Sequence, residues 1–185
     1  MFAPDDAASL PGPDWLRARR TAAAERFAAA GMPSHEEEVW RYSRVDELDL
    51  DRFAVASDGS GAVPDRAQPA AAVVVDGHLR ILEVPDGVEL VPLAEATGGD
   101  ELLGGVLGEA PDAFAELNTA FAVDPLLIRV APGTVVEQPV VVHVHAATPG
   151  AASFPRLVVD VGADAQVTVV EVQTSVAGAL FAAPV

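Results

Sequence analysis

The sequence predicts an α+β protein, helical at the start and strand-rich at the end, and three observations carry that expectation. Ten of the first thirty residues are alanine, the best helix former. Residues 1–62 contain 3 valines, whereas residues 123–185 contain 17, and β-branched valine fits the pleated surface of a strand. The chain has 185 residues, half of them hydrophobic, which suffices for a buried core in one domain or two small ones.

The first helix is expected from Asp14 or Trp15 to Ala30, with Asp14 as cap, Gly31 as left-handed stop and Pro33 preventing continuation. Trp15, Leu16, Ala23 and Phe27 form its apolar stripe, with Arg17, Arg20 and Arg26 towards water. Ser34 and Glu37 have capping-box spacing, which predicts a short second helix carrying Glu38, Val39, Trp40 and Tyr42. Residues 46–52 add one more turn, and residues 57–70, rich in glycine and proline, read as a loop. Short strands follow at Ala72–Val75, 78–84 and 88–93, the first two joined by an Asp76-Gly77 hairpin turn. Residues 100–121 return to helical spacing, with Phe114, Leu117 and Phe121 on one face.

From Leu126 onward the pattern is strand throughout, at Leu126–Val130, 135–144, 156–161 and 166–172. The breaks hold Pro132-Gly133, Pro149-Gly150 and Gly162. Leu157, Val159 and Val161 share one face, and Val158 and Asp160 the other. Short valine strands with glycine corners suit a sandwich or a parallel β-solenoid, and no strict repeat length separates the two. The last residues, Phe181 to Val185, carry no closing helix and no polar cap. Solenoids need a capped end, so the sequence is expected to be cut from a longer one.

Eleven basic residues against 28 acidic ones leave a formal charge of −17, and the pI is near 4.3. Nothing in that balance neutralises phosphates, which argues against nucleic acid and against anionic membranes as partners. All eleven basic residues are arginine, and residues 1–44 are nearly balanced at −1. With no cysteine the chain offers no disulfide, thiolate nucleophile or cysteine-held cluster. It shows no uncharged run of membrane-spanning length, and no basic start with an apolar stretch as in a signal peptide. A cytoplasmic setting is expected.

His143 and His145 are the most tempting chemical pair, because positions i and i+2 of a strand project to the same face. A cupin-like metal site would add a nearby glutamate, but no carboxylate follows until Asp160. Two ligands without a third make a weak site. The plainer reading places both on the outward positions of a strand whose inward face is Val140, Val142 and Val144. Glu36, Glu37 and Glu38 read as the acidic first turn of a helix. Gly98-Gly99 and Gly104-Gly105 lack the lysine and hydroxyl of a phosphate loop, and no Gly-x-Ser-x-Gly elbow occurs. Arg17, Arg19 and Arg20 read as a solvated helix face or a small docking patch. Trp40 and Tyr42 read as helix-end packing residues.

Several runs in order resemble the SufB/SufD family, the scaffold subunits of SUF iron–sulfur cluster assembly. Gly31-Met32-Pro33 followed by Glu37-Glu38-Val39-Trp40-Arg41-Tyr42-Ser43 resembles the N-terminal signature of its SufD branch, the tryptophan favouring SufD over SufB. Phe114 to Phe121, with Leu117-Asn118 and Ala120, and then Asp124 to Val130 are similar to the family's entry into its β region. Gly133 to Pro139, with Glu137 before the proline, is similar to a β-region strand. Pro155-Arg156-Leu157-Val158 and Val161 to Glu171 complete the set, which spans most of residues 31–172. Asp124 is followed by Pro125 where the family usually has glycine.

The resemblance implies an N-terminal, mainly helical domain over residues 1–121 with a short β-hairpin insert at about 72–93. Residues 122–185 would then begin a right-handed parallel β-helix. It implies a non-enzymatic scaffold acting with SufB and the ATPase SufC, and chooses solenoid over sandwich. The family's cluster-assembly and SufC-docking residues match no position here, so no catalytic, cofactor or metal residue is expected in this chain. The iron–sulfur cluster, and ATP through SufC, belong to the full complex. The open β-helix end is expected to favour self-association. The alternative is a small metal-dependent β-barrel enzyme, cupin-like, using His143 and His145.

Overall fold

The computed structural model describes residues 2–63, 69–108 and 110–185, so five residues of the expected 57–70 loop lie outside the described residues. Helices α1 (Pro4–Ser9) and α2 (Asp14–Ala30) come first. Pro13, with extended backbone, holds the cap position of α2, so Asp14 is the first helical residue and not the cap; it pairs with Arg17 one turn on. Gly31 stops the helix at φ 76°, its N–H donating to the Phe27 carbonyl at 2.8 Å, a backbone region that suits glycine.

The buried face of α2 consists of Leu16, Arg20, Ala23, Ala24 and Phe27. Arg20 therefore does not point to water as the stripe suggested. It lies four residues from Leu16 and three from Ala23, on the same side of the helix. Its guanidinium donates to the carbonyls of Pro11, Ala122 and Val123, each at 2.7 Å, and so caps the end of a later helix. Burial lowers its pKa to about 10, with Asp124 partly opposing the shift.

The second helix expected after Ser34 does not form. Residues 35–42 make successive tight turns instead, with Glu37, Trp40 and Ser43 each bonded three residues back. Half of the capping box survives: Glu37 accepts from the Ser34 N–H, while the Ser34 hydroxyl accepts from Glu36. A short helix needs an apolar face to bury, and Val39 and Tyr42 find none, being 85 % and 93 % exposed. Tyr42 is thus not a packing residue. Trp40 is, meeting Phe114 edge to face at 5.2 Å. Two 3₁₀ turns, Val45–Glu47 and Leu50–Arg52, occupy the region where one more turn was expected.

Ten strands follow: β1 (Ala54–Val55), β2 (Ala72–Val75), β3 (His78–Ile81), β4 (Val88–Pro92), β5 (Leu126–Val130), β6 (Val140–Ala146), β7 (Ala151–Ser153), β8 (Leu157–Val161), β9 (Val169–Ser175) and β10 (Phe181–Ala182). Between β4 and β5 lie α3 (Gly99–Leu102) and α4 (Ala113–Phe121); Asp112 caps α4, accepting from the Ala115 N–H at 2.8 Å. Asp76 and Gly77, both at positive φ, join β2 and β3 as expected. The third strand of that region leaves the hairpin and pairs antiparallel with β5.

The strands form three separate sheets, ordered β1-β7-β10, β3-β2-β6-β9 and β4-β5-β8, and no barrel closes among the described residues. From β5 onward the chain visits the three sheets in one fixed order, twice, and every pairing between the two passes is parallel. Paired residues are 31 apart in β5–β8 and 29 apart in β6–β9 and β7–β10. Strands β1, β2 and β4 lie one on each sheet against the first pass. The sequence missed β1, β7 and β10, which are two or three residues long and largely alanine.

Between the sheets, Leu90, Leu126, Ile128, Val140, Val142 and Val144 form the inner core. The helices lie outside it. All seven phenylalanines of the chain gather where α1, α2 and α4 meet β7 and β10. Alanines at 7, 23, 24, 120 and 152 are buried among them; their small side chains let the helices approach closely.

Asn118 of α4, fully buried, donates to the carbonyls of Pro155 at 2.8 Å and Ala183 at 2.7 Å and accepts from Arg156. Asn118→Leu strands both carbonyls and is expected to cost about 2–4 kcal/mol in urea unfolding; a loss under about 0.5 kcal/mol would show the amide to be dispensable. At the corner between passes, a Cβ on Gly162 would stand 2.4 Å from the Pro132 nitrogen. Gly162→Ala is therefore expected to lower stability by about 1–3 kcal/mol, whereas Gly133→Asn, at φ 73° with open space around it, should cost less.

Candidate functional site

His143 and His145 sit on the face of β6 opposite Val140, Val142 and Val144, as the alternation requires. They are not solvent-facing, however, being 6 % and 4 % exposed. Register places Val73 and Val75 of β2 beside them on one side and Val172 and Thr174 of β9 on the other. Val63, Ala70 and Ala147 pack with Val73, Val75 and Val141 over this outer face, which is why the outward positions are buried.

The structure brings the two rings together around a hydroxyl. Thr174 Oγ1 lies 2.8 Å from His143 Nε2 and 2.8 Å from His145 Nδ1, and the ring centroids are 6.3 Å apart. A threonine hydroxyl has one proton and two lone pairs, so it serves one imidazole as donor and the other as acceptor, or accepts from both. These bonds hold one nitrogen of each ring, and a metal site needs a third ligand besides the two imidazoles. Among the described residues no group of three histidine, cysteine, aspartate or glutamate side chains is placed to hold one. The cupin-like alternative also requires a barrel, and the sheets do not close into one.

The other singled-out residues do not converge on this pair. Glu37 is engaged by Ser34, and Glu38 pairs with Arg41 at 2.7 Å, so the acidic run serves its own turns. Arg17, Arg19 and Arg20 do not form one patch: Arg17 pairs with Asp14 on the surface and Arg20 is buried. Arg19 crosses to the α3 end, donating to the carbonyls of Leu103 at 3.0 Å and Asp100 at 2.8 Å. Sequence reasoning attached no role to Thr174, Asn118 or Arg156. For Asn118 a signal was available, since a polar residue inside the apolar spacing of α4 must find partners if buried.

Strands β8, β9 and β10 each form the outer edge of their sheet. Val159, Val161 and Val172 are partly exposed there, between 38 % and 47 %, although Val159 and Val161 are in register with buried Ile128 and Val130. No helix among the described residues is long and apolar enough to cross a membrane. Comparison with protein-family models and with curated protein sequences gave no match.

With no third ligand placed beside the two imidazoles among the described residues, zinc titration by calorimetry is expected to give the same stoichiometry for the native chain and for His143→Ala/His145→Ala. Loss of one equivalent in the double variant would restore the metal-site reading.

Proposed function

We propose that the protein is a non-enzymatic scaffold subunit of the SufD type, acting with a SufB-like partner and a SufC-like ATPase in iron–sulfur cluster assembly. In this reading the two passes from β5 to β10 are turns of a right-handed parallel β-helix. The observation that carries it is the repeated visit to three sheets in the same order at offsets of 31 and 29 residues. A sandwich, the other arrangement the strand pattern allowed, is built from antiparallel strands, whereas all three pairings between passes are parallel.

Three of the runs that resemble the family fall at the joints of this arrangement. The Leu117-Asn118 run supplies the amide that reaches both passes. The run ending at Pro139 leads into β6, and Gly162 forms the corner that stacks on Pro132. Stacked parallel strands tied at their corners make a stiff body. That supports a mechanical role, in which ATP-driven movement of the complex exposes a site where the nascent cluster, the cargo, is built. No residue of this chain is assigned to the cluster.

The test is co-expression of the gene's full reading frame, tagged, with the SufB and SufC homologues of the same genome. Elution of all three as one complex in size exclusion is the expected result. If neither homologue is retained under conditions where SufB and SufC bind each other, the scaffold reading is wrong.

A further inference from the structure

In a protein of net charge −17, three of the arginines line a single cavity of about 360 Å³. It lies between α2, α4 and the segment after α3, with Arg156 at the start of β8 contributing from the sheet side. Ala18, Ala22, Leu103 and Ala115 supply the apolar part of its wall. Arg26 is held by a bidentate pair with Glu116, at 2.6 and 2.9 Å. Arg156 and Arg19 differ from it, because their hydrogen-bond partners are all uncharged.

Arg156 is 6 % exposed. Its Nη1 donates to Asn118 Oδ1 at 3.2 Å and Thr119 Oγ1 at 3.0 Å, which fixes the plane of the guanidinium. Among the described residues Nε and Nη2 make no hydrogen bond, and neither is sealed off, since Arg20 Nε is the enclosed side-chain polar atom left without a bond there. That Nε/Nη2 edge is the one with which Arg26 grips Glu116 and Arg44 grips Glu47. A fork of this shape matches two oxygens of a phosphate or carboxylate. Burial lowers the Arg156 pKa, and neighbouring Arg19 lowers it further. A buried cation facing a second cation across open space is costly without an anion to share.

We propose that this cavity binds a small phosphate monoester, with Arg156 gripping its oxygens from the floor and Arg19 completing the charge from the rim. Two guanidiniums without carboxylate partners balance the double charge of a phosphate monoester. The apolar wall leaves room for a compact organic group beyond it.

The probe is inorganic phosphate, titrated into the full chain by calorimetry at constant ionic strength, with acetate as the carboxylate arm. Saturable 1:1 binding of phosphate, stronger than that of acetate, is expected. Arg156→Gln should weaken it by about ten-fold or more and Arg156→Lys by less, since a lysine keeps the charge and loses the fork. Arg17→Gln, on a surface pair outside the cavity, should leave it unchanged. Because Arg156 also braces Asn118, Ala22→Met provides an independent variant that narrows the cavity and leaves that bond in place. It too should weaken binding. Absent saturation, equal weakening by Arg17→Gln, or full affinity in Ala22→Met would overturn the site, and tighter acetate binding would overturn the phosphate assignment.

Discussion

The side-chain amide of Asn118 donates its two protons to carbonyls on successive passes of the chain, Pro155 beside β8 and Ala183 just after β10, while its oxygen accepts from Arg156. A buried amide carries a large penalty for any group left unpaired. The two passes must therefore sit at one height relative to α4 for all three bonds to close. The phenylalanine cluster then fills the space that this spacing defines, since Phe121 of α4 meets Phe154 at 5.8 Å and Phe154 meets Phe181 of β10 at 5.8 Å. Non-directional burial supplies the larger share of stability; the amide decides the register in which that burial happens.

Arginine does comparable work elsewhere, which gives the lysine-free composition a structural consequence. Arg129 of β5 reaches Asp160 of β8 at 2.9 Å, Glu89 of β4 at 3.3 Å and the Thr97 carbonyl at 3.0 Å, so one guanidinium spans the three strands of its sheet. Arg20 ends α4 from below, and Arg19 ends α3. A planar group with five donors can serve several fixed acceptors at once, whereas an ammonium on a flexible stem holds them less rigidly. At the corners the constraint is space. Gly162 packs on Pro132 so closely that the glycine has no room for a Cβ, and the backbone bonds Gly162 to Val130 at 2.9 Å and Gly133 to Ala163 at 2.8 Å tie the two passes there.

These constraints bear on function through stiffness. The corner bonds and Asn118 tie the two passes together, and a tie of this kind is what the proposed scaffold role asks of the chain. The paired histidines fit the same picture: Thr174 of the second pass bonds both imidazoles of the first. Two imidazoles of one strand and a hydroxyl of the next form a polar joint between the passes.

The amino-acid sequence by itself determined the order of helix and strand, because alanine and valine enrichments act locally, and the Asp76-Gly77 and Gly31 positions, because positive φ selects those residue types. It also determined that Val140, Val142 and Val144 share a buried face, since alternation is a property of a single strand. The tertiary structure alone decided the rest. Residues 35–42 failed to become a helix for want of a surface to pack on, and alanine strands β7 and β10 exist because neighbouring passes pair with them. Arg20 and Arg156 became buried because carbonyls, an amide and a hydroxyl from residues 9 to 103 positions away surround them. Such partners are set by how strands and helices stack, and no local pattern in the chain encodes a contact over that separation.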